Sequence, residues 1–390
     1  MKKTVLLLFA ILGITITVAQ NNQLSNKAKI SVLTIGPGIS LNDAFGHSAF
    51  RINDPVKGLD LVFNYGVYDF EAPNFYLKFT QGKLNYLLGL NYYEDFYHAY
   101  ITQNRSIQEQ ILNLSEAEKQ KLYDYLLNNY KPENRGYLYD FFFDNCATKI
   151  KDVTQIALNN DVEFNVPKNF KPETFRSLIY KNVNKNTWGS LGIDLALGSV
   201  IDQKATPEDY MFLPENIYTF FKQATINPDN RALVKTEKTL FSKIEKPITH
   251  SFFTSPLFIF GLIGLFIIYK TYSDFKKQTR TKWLDVALFV FTGLIGIGLL
   301  LLWFATDHKA THQNYNLLWA FALNLFVVGQ LLKTKPSNWF VKYLKLLIIL
   351  LCLLTLHWLI GVQVFAVGLI PWLIALFIRY VFLVNYYKVV

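Results

Sequence analysis

The chain has 390 residues, of which 51% are hydrophobic, and a net charge of +10. Neither feature is evenly spread: from residue 250 onward there are 12 Lys and Arg against 3 Asp and Glu, whereas residues 1–249 hold 27 against 26. The basic charge belongs to the apolar part, where Lys and Arg mark cytoplasmic loops, and no basic tract remains to line a nucleic-acid groove.

Residues 1–19 have the build of an export signal. Lys2 and Lys3 precede a short apolar run from Val5 to Ile16, and Ala19 supplies a small residue for cleavage. The run is short for a membrane anchor, which needs about 20 apolar residues. Strands are expected at Ser31–Ile35, Phe45–Ile52 and Leu61–Tyr68, separated by the turn chemistry of Gly36-Pro37-Gly38 and Asn53-Asp54-Pro55. Residues 71–100, dense in Phe and Tyr but without a clear period, read as short helices covering a core or lining a groove. Another strand is expected over 106–114. Ser115 and Glu118 form a capping box, so a helix should run to about Tyr130. After an aromatic, strand-like 137–143, Asp144 and Asn145 supply capping oxygens for a helix from about Cys146 to Leu158. Residues 160–245 read as loops and short helices.

Five apolar stretches follow, near 252–269, 284–304, 316–332, 343–360 and 363–386, each close to the length needed to cross a hydrocarbon core of about 30 Å. If residue 20 lies outside, the loop after the first stretch faces the cytoplasm, and it carries Lys270, Lys276, Lys277, Arg280 and Lys282. The two loops then left outside hold Lys309 alone. The expected architecture is a signal peptide at 1–19, an extracytoplasmic α+β domain at 20–249, and an all-α bundle of about five transmembrane helices at 250–390. The expected location is the inner membrane, with the N-terminal domain periplasmic and the C-terminus cytoplasmic. Arg379, toward the inner end of the last stretch, is expected to snorkel. The outer loop Asp307-His308-Lys309-Ala310-Thr311-His312, with Asn314 and Asn316, shows no third metal ligand of sensible geometry. It is expected to meet a lipid headgroup or the globular domain, and no metal or cofactor is expected.

The chemistry is expected at Cys146 and His47. A nucleophilic cysteine needs a lowered pKa, which a helix N-terminus and an imidazole supply, and Cys146 stands where a helix should start. His47 lies between Gly46 and Ser48, small neighbours that leave room for a substrate. Asn64, on the following strand, is the choice for a third residue orienting the imidazole, with Asp69 and Tyr65 behind it. The plainer alternatives are a packed thiol and a strand-edge Asn bonded to backbone.

The segments Ala44-Phe45-Gly46-His47-Ser48-Ala49, Val62-Phe63-Asn64-Tyr65-Gly66, Asn74-Phe75-Tyr76-Leu77-Lys78-Phe79 and Asp144-Asn145-Cys146-Ala147-Thr148 together resemble the Lnb-like lipoprotein N-acyltransferases. Gly192-Ile193-Asp194-Leu195-Ala196-Leu197-Gly198, Phe212-Leu213-Pro214-Glu215-Asn216 and the Asp307-His308 loop fit the same resemblance. It implies a permuted papain-like domain, related to lecithin:retinol acyltransferases and NlpC-type amidases, with Cys146 as nucleophile and His47 as base; Asn64 is not fixed by it. It also implies a phospholipid acyl donor and a diacylglyceryl lipoprotein acceptor. The alternatives are a membrane-anchored amidase or peptidase acting on cell-wall peptides, and a non-catalytic envelope binding module.

Overall fold

The computed structural model describes residues 22–168, 170–245 and 251–389; the expected signal peptide lies outside the described residues. The first unit is mixed α/β around an antiparallel sheet of seven strands, β1 (Lys29–Ile35), β2 (His47–Asp54), β3 (Leu59–Tyr68), β4 (Asn85–Tyr92), β5 (Ile107–Leu112), β6 (Gly136–Leu138) and β10 (Val234–Phe241), in the order β10-β5-β1-β2-β3-β4-β6. Three two-residue strands, β7 (Val162–Glu163), β8 (Thr225–Ile226) and β9 (Arg231–Ala232), form a small second sheet.

Alternation along β2 and β3 assigns side chains to the two faces of the sheet. Phe50, Ile52, Phe63 and Tyr65 enter the main core, which is closed by α3 (Glu116–Tyr130), α4 (Cys146–Ala157) and α7 (Pro214–Gln223) through Leu122, Ile150, Val153 and Ile217. Ala49 and Val62 belong to a smaller cluster on the other side with Phe96 of α2 (Tyr93–Thr102). His47 shares its parity with Ala49, and Asn64 with Val62, so both polar side chains stand on the α2 side. The expected capping box closes α3: Ser115 Oγ accepts from the Glu118 N–H, and Glu118 accepts from the Ser115 N–H.

The three short strands β7, β8 and β9 were not foreseen, nor were two strands of the main sheet. β4 lies inside the aromatic stretch expected as short helices, which holds only α1 (Phe75–Gln81) and α2 as helices. β10 lies in a polar stretch expected as loop. It is an edge strand, half-exposed along its length, so burial never imposed the apolar alternation that marks a strand. Beyond β9 and α4, the short α5 (Phe175–Ile179) and α6 (Trp188–Ala196) complete the unit.

The second unit is helical. Four segments are long and apolar enough to cross a membrane: α8 (Pro256–Lys277), α9 (Lys282–Phe304), α11 (Asn338–Leu359) and Val367–Lys388, which contains most of α12 (Ile370–Val389). The third apolar stretch differs from expectation. It is not one helix but two 3-10 turns, Tyr315–Leu318 and Ala322–Leu325, followed by the five-residue α10 (Val328–Leu332). Irregular backbone at membrane depth needs a protein wall, and α9 provides one. Added Cβ atoms at Gly293 and Gly296 would lie 2.6 Å from the Leu325 nitrogen and 2.2 Å from the Ala320 oxygen, so these glycines admit the broken segment. Asn324 donates to Thr292 Oγ1 at 2.8 Å and accepts from the Tyr343 hydroxyl at 2.6 Å.

Arg379 does not snorkel. It is fully buried, with Nε 2.7 Å from Asp285 and Nη1 2.8 Å from Asp274, while Arg280 holds the other Asp285 oxygen at 3.0 Å. A position near a helix end says how far water lies along the axis. It does not show that α8 and α9 present carboxylates to the same spot, and paired charges are how such a residue is retained in a bundle.

Candidate active site

The local sequence explains why α4 begins at Cys146. Asn145 is the N-cap, buried, with Oδ1 accepting from the N–H groups of Ala147 (2.7 Å) and Thr148 (2.9 Å). Its amide donates to the carbonyls of Phe141 (2.7 Å) and Phe212 (2.8 Å), so the Phe212-Leu213-Pro214 segment braces the cap. Cys146 is thus the first residue of a twelve-residue helix, in the positive end of its dipole.

The structure brings His47, Asn64 and Cys146 together. His47 Nε2 lies 2.5 Å from Asn64 Oδ1, and the imidazole hydrogen-bonds the Cys146 sulfur. With Nε2 committed to Asn64, Nδ1 is the ring nitrogen left for the sulfur. Asn64 Oδ1 is an acceptor, so Nε2 carries a proton in this arrangement. Tyr100 of α2 stacks on His47 with ring centroids 6.2 Å apart. The two residues placed behind Asn64 turn elsewhere: the Tyr65 hydroxyl donates to Asn129 at 2.5 Å, and Asp69 accepts from the Glu71 N–H in a turn.

Burial alone would push the Cys146 thiol up, but the His47 charge, its hydrogen bond, and N–H groups of Ser48 and Ala147 bring it below the ordinary thiol value. Burial likewise works against a charged His47, yet the Cys146 charge and the bonds from Cys146 and Asn64 outweigh it and raise the imidazole. The two shifts have one cause: each partner stabilises the charged form of the other, which favours a thiolate–imidazolium pair.

Two glycines next to the site residues hold left-handed backbone that other side chains rarely adopt. Gly46 has φ +81° and an added Cβ would lie 2.6 Å from the Ile35 carbonyl, so a side chain there fits neither the backbone nor the space. Gly66 has φ +97°, at the bulge where the β3–β4 register shifts, and its missing side chain would sit 3.9 Å from both Cys146 Cβ and the Tyr137 hydroxyl. That hydroxyl is buried and has no hydrogen-bond partner among the described residues. Sequence reasoning missed Tyr137; the aromatic run 137–143 was visible, but nothing marked one of its residues as facing a thiol.

A cavity of about 580 Å³, within the usual range for ligand sites, lies near this constellation; Cys146, His47 and Asn64 do not line it, and Tyr139, which feels the Cys146 charge, stands in its wall. Its lining includes Phe45, two residues before His47, and Tyr139, Phe141 and Phe142, shortly before Cys146. Tyr86, Phe79 and Trp188 extend the apolar wall, and Asp307, His308, Lys309 and Thr311 close it from the helical unit. The aromatic residues between 92 and 100 do not line this cavity: Phe96 packs in the core, Tyr93 covers Arg51, Tyr92 points to solvent, and Tyr100 stacks on His47 instead.

The Asp307–Asn316 loop meets the α/β domain, one of its two expected contacts. The Gly198 and Ser199 N–H groups donate to the carbonyls of Ala310 and Gln313, and Asn314 and Asn316 donate to carbonyls of residues 194–196. An added Cβ at Gly198 would lie 1.8 Å from the His312 carbonyl oxygen, which explains the glycine. Behind this contact a buried Arg176 holds Asp194 (2.7 Å) and Asp202 (2.8 Å). No group of three or more His, Cys, Asp or Glu side chains that could hold a metal occurs among the described residues.

Fold and site define a class: a periplasmic α/β domain with a cysteine–histidine–asparagine constellation, pinned to a membrane-spanning helical module. The Lnb N-terminal periplasmic domain matches residues 18–181, and the Lnb transmembrane domain matches residues 248–389. The chain belongs to the Lnb-like family, with a periplasmic domain followed by a C-terminal membrane module. No curated relative and no solved structure matches it.

Proposed function

We propose that this chain is a lipoprotein N-acyltransferase. The observation that carries the reading is the hydrogen-bonded Cys146, His47 and Asn64, linked through Tyr139 to an apolar cavity whose wall is shared with the membrane module. In the first half-reaction the Cys146 thiolate attacks the carbonyl carbon of a phospholipid ester. A carbon–sulfur bond forms, the ester carbon–oxygen bond breaks, and the His47 imidazolium gives its proton to the departing alkoxide, releasing a lysophospholipid. In the second, the α-amine of a diacylglyceryl lipoprotein attacks the thioester. The amide forms, the carbon–sulfur bond breaks, and His47 takes the proton lost by nitrogen. Asn64 holds the ring in the orientation and tautomer that both steps need.

The membrane module supports this choice of substrates. It presents two greasy molecules at one surface, and positioning is itself a large part of catalysis. A peptidase or amidase reading would use the same thiol, but it gives no role to an apolar cavity closed by a membrane loop. The excess of Lys and Arg in the loops away from the periplasmic domain supports an inner-membrane location with the C-terminus in the cytoplasm.

The test is mass spectrometry of lipoprotein N-termini from cells with and without the chain. The expected result is N-acylated diacylglyceryl-cysteine only when the chain is present with Cys146 intact. Identical N-termini in both cells would overturn the proposal.

A further inference from the structure

The Asn74–Phe79 motif is not used by the mechanism, yet the helix it forms has an unusual surface. In α1, Tyr76 is 80% exposed and Leu77 58%, and Phe70 in the preceding turn is 72% exposed. Apolar side chains presented together on a seven-residue helix are not explained by packing within the chain. The other face of α1 is engaged: Phe75 packs against Phe70 and Tyr68, whose ring lies against Tyr86.

What covers the exposed side follows from how α1 is tied down. The Asp307 N–H donates to the Gln81 carbonyl at 2.9 Å, and His308 Nε2 lies 3.2 Å from the Thr80 carbonyl. An added Cβ at Gly82 would lie 3.1 Å from the His308 ring and backbone. Asp307 is only three residues past Phe304, the end of the membrane-crossing α9. The C-terminus of α1 is therefore fixed at the level where α9 leaves the hydrocarbon core. Phe304 is itself 72% exposed there, as aromatic residues at a membrane–water boundary are.

We propose that α1 and the turn before it lie in the lipid leaflet on the periplasmic side, with Tyr76 and Leu77 among the headgroups and upper chains. Lys78, on the same helix, keeps its ammonium in the aqueous layer while its stem lies along the apolar surface. α1 is then a lip. Phe79 and Gly82 also line the cavity, so one short element touches both the leaflet and the cavity that Tyr139 walls. A lipid chain passing over α1 enters the cavity without crossing water. This passage rests on the acyl-donor reading; the immersion itself does not.

The experiment uses the full chain in phosphatidylglycerol–phosphatidylcholine nanodiscs, with Cys146→Ser and Cys352→Ser removing the native thiols. A nitroxide is attached at Leu77→Cys, and a second sample carries it at Glu133→Cys, in an exposed turn of the periplasmic domain. The expected result is that collision with oxygen exceeds collision with a water-soluble nickel chelate at 77, with the reverse order at 133. Water-like collision at both positions, including protection at 77 that appears only when a soluble protein is added, would overturn the proposal. The readout needs no turnover, so a chain without acyltransferase activity but with a lipid-immersed label would sink the function and leave the lip.

Discussion

At the scale of single residues, the account depends on one sulfur and its two supports. The Cys146 pKa is lowered and that of His47 raised because each charged form stabilises the other. The thiolate persists as pH falls below the ordinary thiol range and is lost only when pH passes the depressed value. Alkylation by a small maleimide, followed against pH, should therefore show a midpoint below about 8.5, the value of a free thiol. His47→Ala should move that midpoint upward; an unchanged midpoint would deny the pair. Asn64 acts through the imidazole, and its loss should cost on the order of 10²-fold in acyl transfer, the scale of a misplaced catalytic group. The distinguishing readout is the pH profile: Asn64→Ala should move its upper limb, where the His47 imidazolium is lost, to lower pH, and Asn64→Gln should restore part of the rate, whereas a merely structural residue would change neither limb. Cys146 and His47 were legible in the sequence because each chemical type is scarce in a setting that suits it: a thiol after an Asp-Asn cap, and an imidazole between small residues. Asn64 was legible only as a choice among polar neighbours. The sheet brings it to the imidazole, since parity puts Asn64 on the face of His47 and Tyr65 on the other.

At the scale of elements, the helices with caps and the strands with buried alternation were readable. β1, β2, β3, β5, α3 and α4 all lie close to where composition and capping put them. What was not readable was set by partners remote in sequence. β4 pairs with β3 and β6, but its aromatic, Gly-interrupted sequence carries no period of its own. The third apolar stretch has the hydropathy of a spanning helix, yet its backbone is held by α9 glycines and by Asn324, features no window along the chain contains. Arg379 makes the same point and gives a prediction. Arg379→Leu removes the partner of two buried carboxylates, and breaking such a pair costs about 3–5 kcal/mol. The variant should show a markedly lower unfolding temperature in detergent, with Arg379→Leu combined with Asp274→Asn recovering part of the loss. Equal stability of Arg379→Leu and the parent would mean that the cluster is not paired as described.

At the scale of the whole molecule, the two units share a cavity wall and are pinned together at several points around Gly198. That glycine has ordinary backbone angles, so a larger residue there tests close approach and nothing else. Gly198→Val should destabilise the junction by about 1–3 kcal/mol, the usual cost of overpacking, and speed proteolysis between the domains. Gly261→Ala, in a helix with nothing within 4 Å of the added carbon, should leave both unchanged. If Gly198→Val behaves like Gly261→Ala, the units are not held together through this loop. The division into an α/β unit and a helical unit was visible from hydropathy and charge alone. The loop that makes the junction was legible as one of two alternatives, but its partners were not, because they are backbone groups that any sequence supplies.

The central claim, that Cys146 carries an acyl group taken from a membrane lipid, is tested most directly by intact-protein mass spectrometry of the purified full chain in phospholipid nanodiscs, with no acceptor present. The account predicts a fatty-acyl mass increment on Cys146, released by neutral hydroxylamine and missing from Cys146→Ala. No increment, or one that survives in Cys146→Ala, would contradict it.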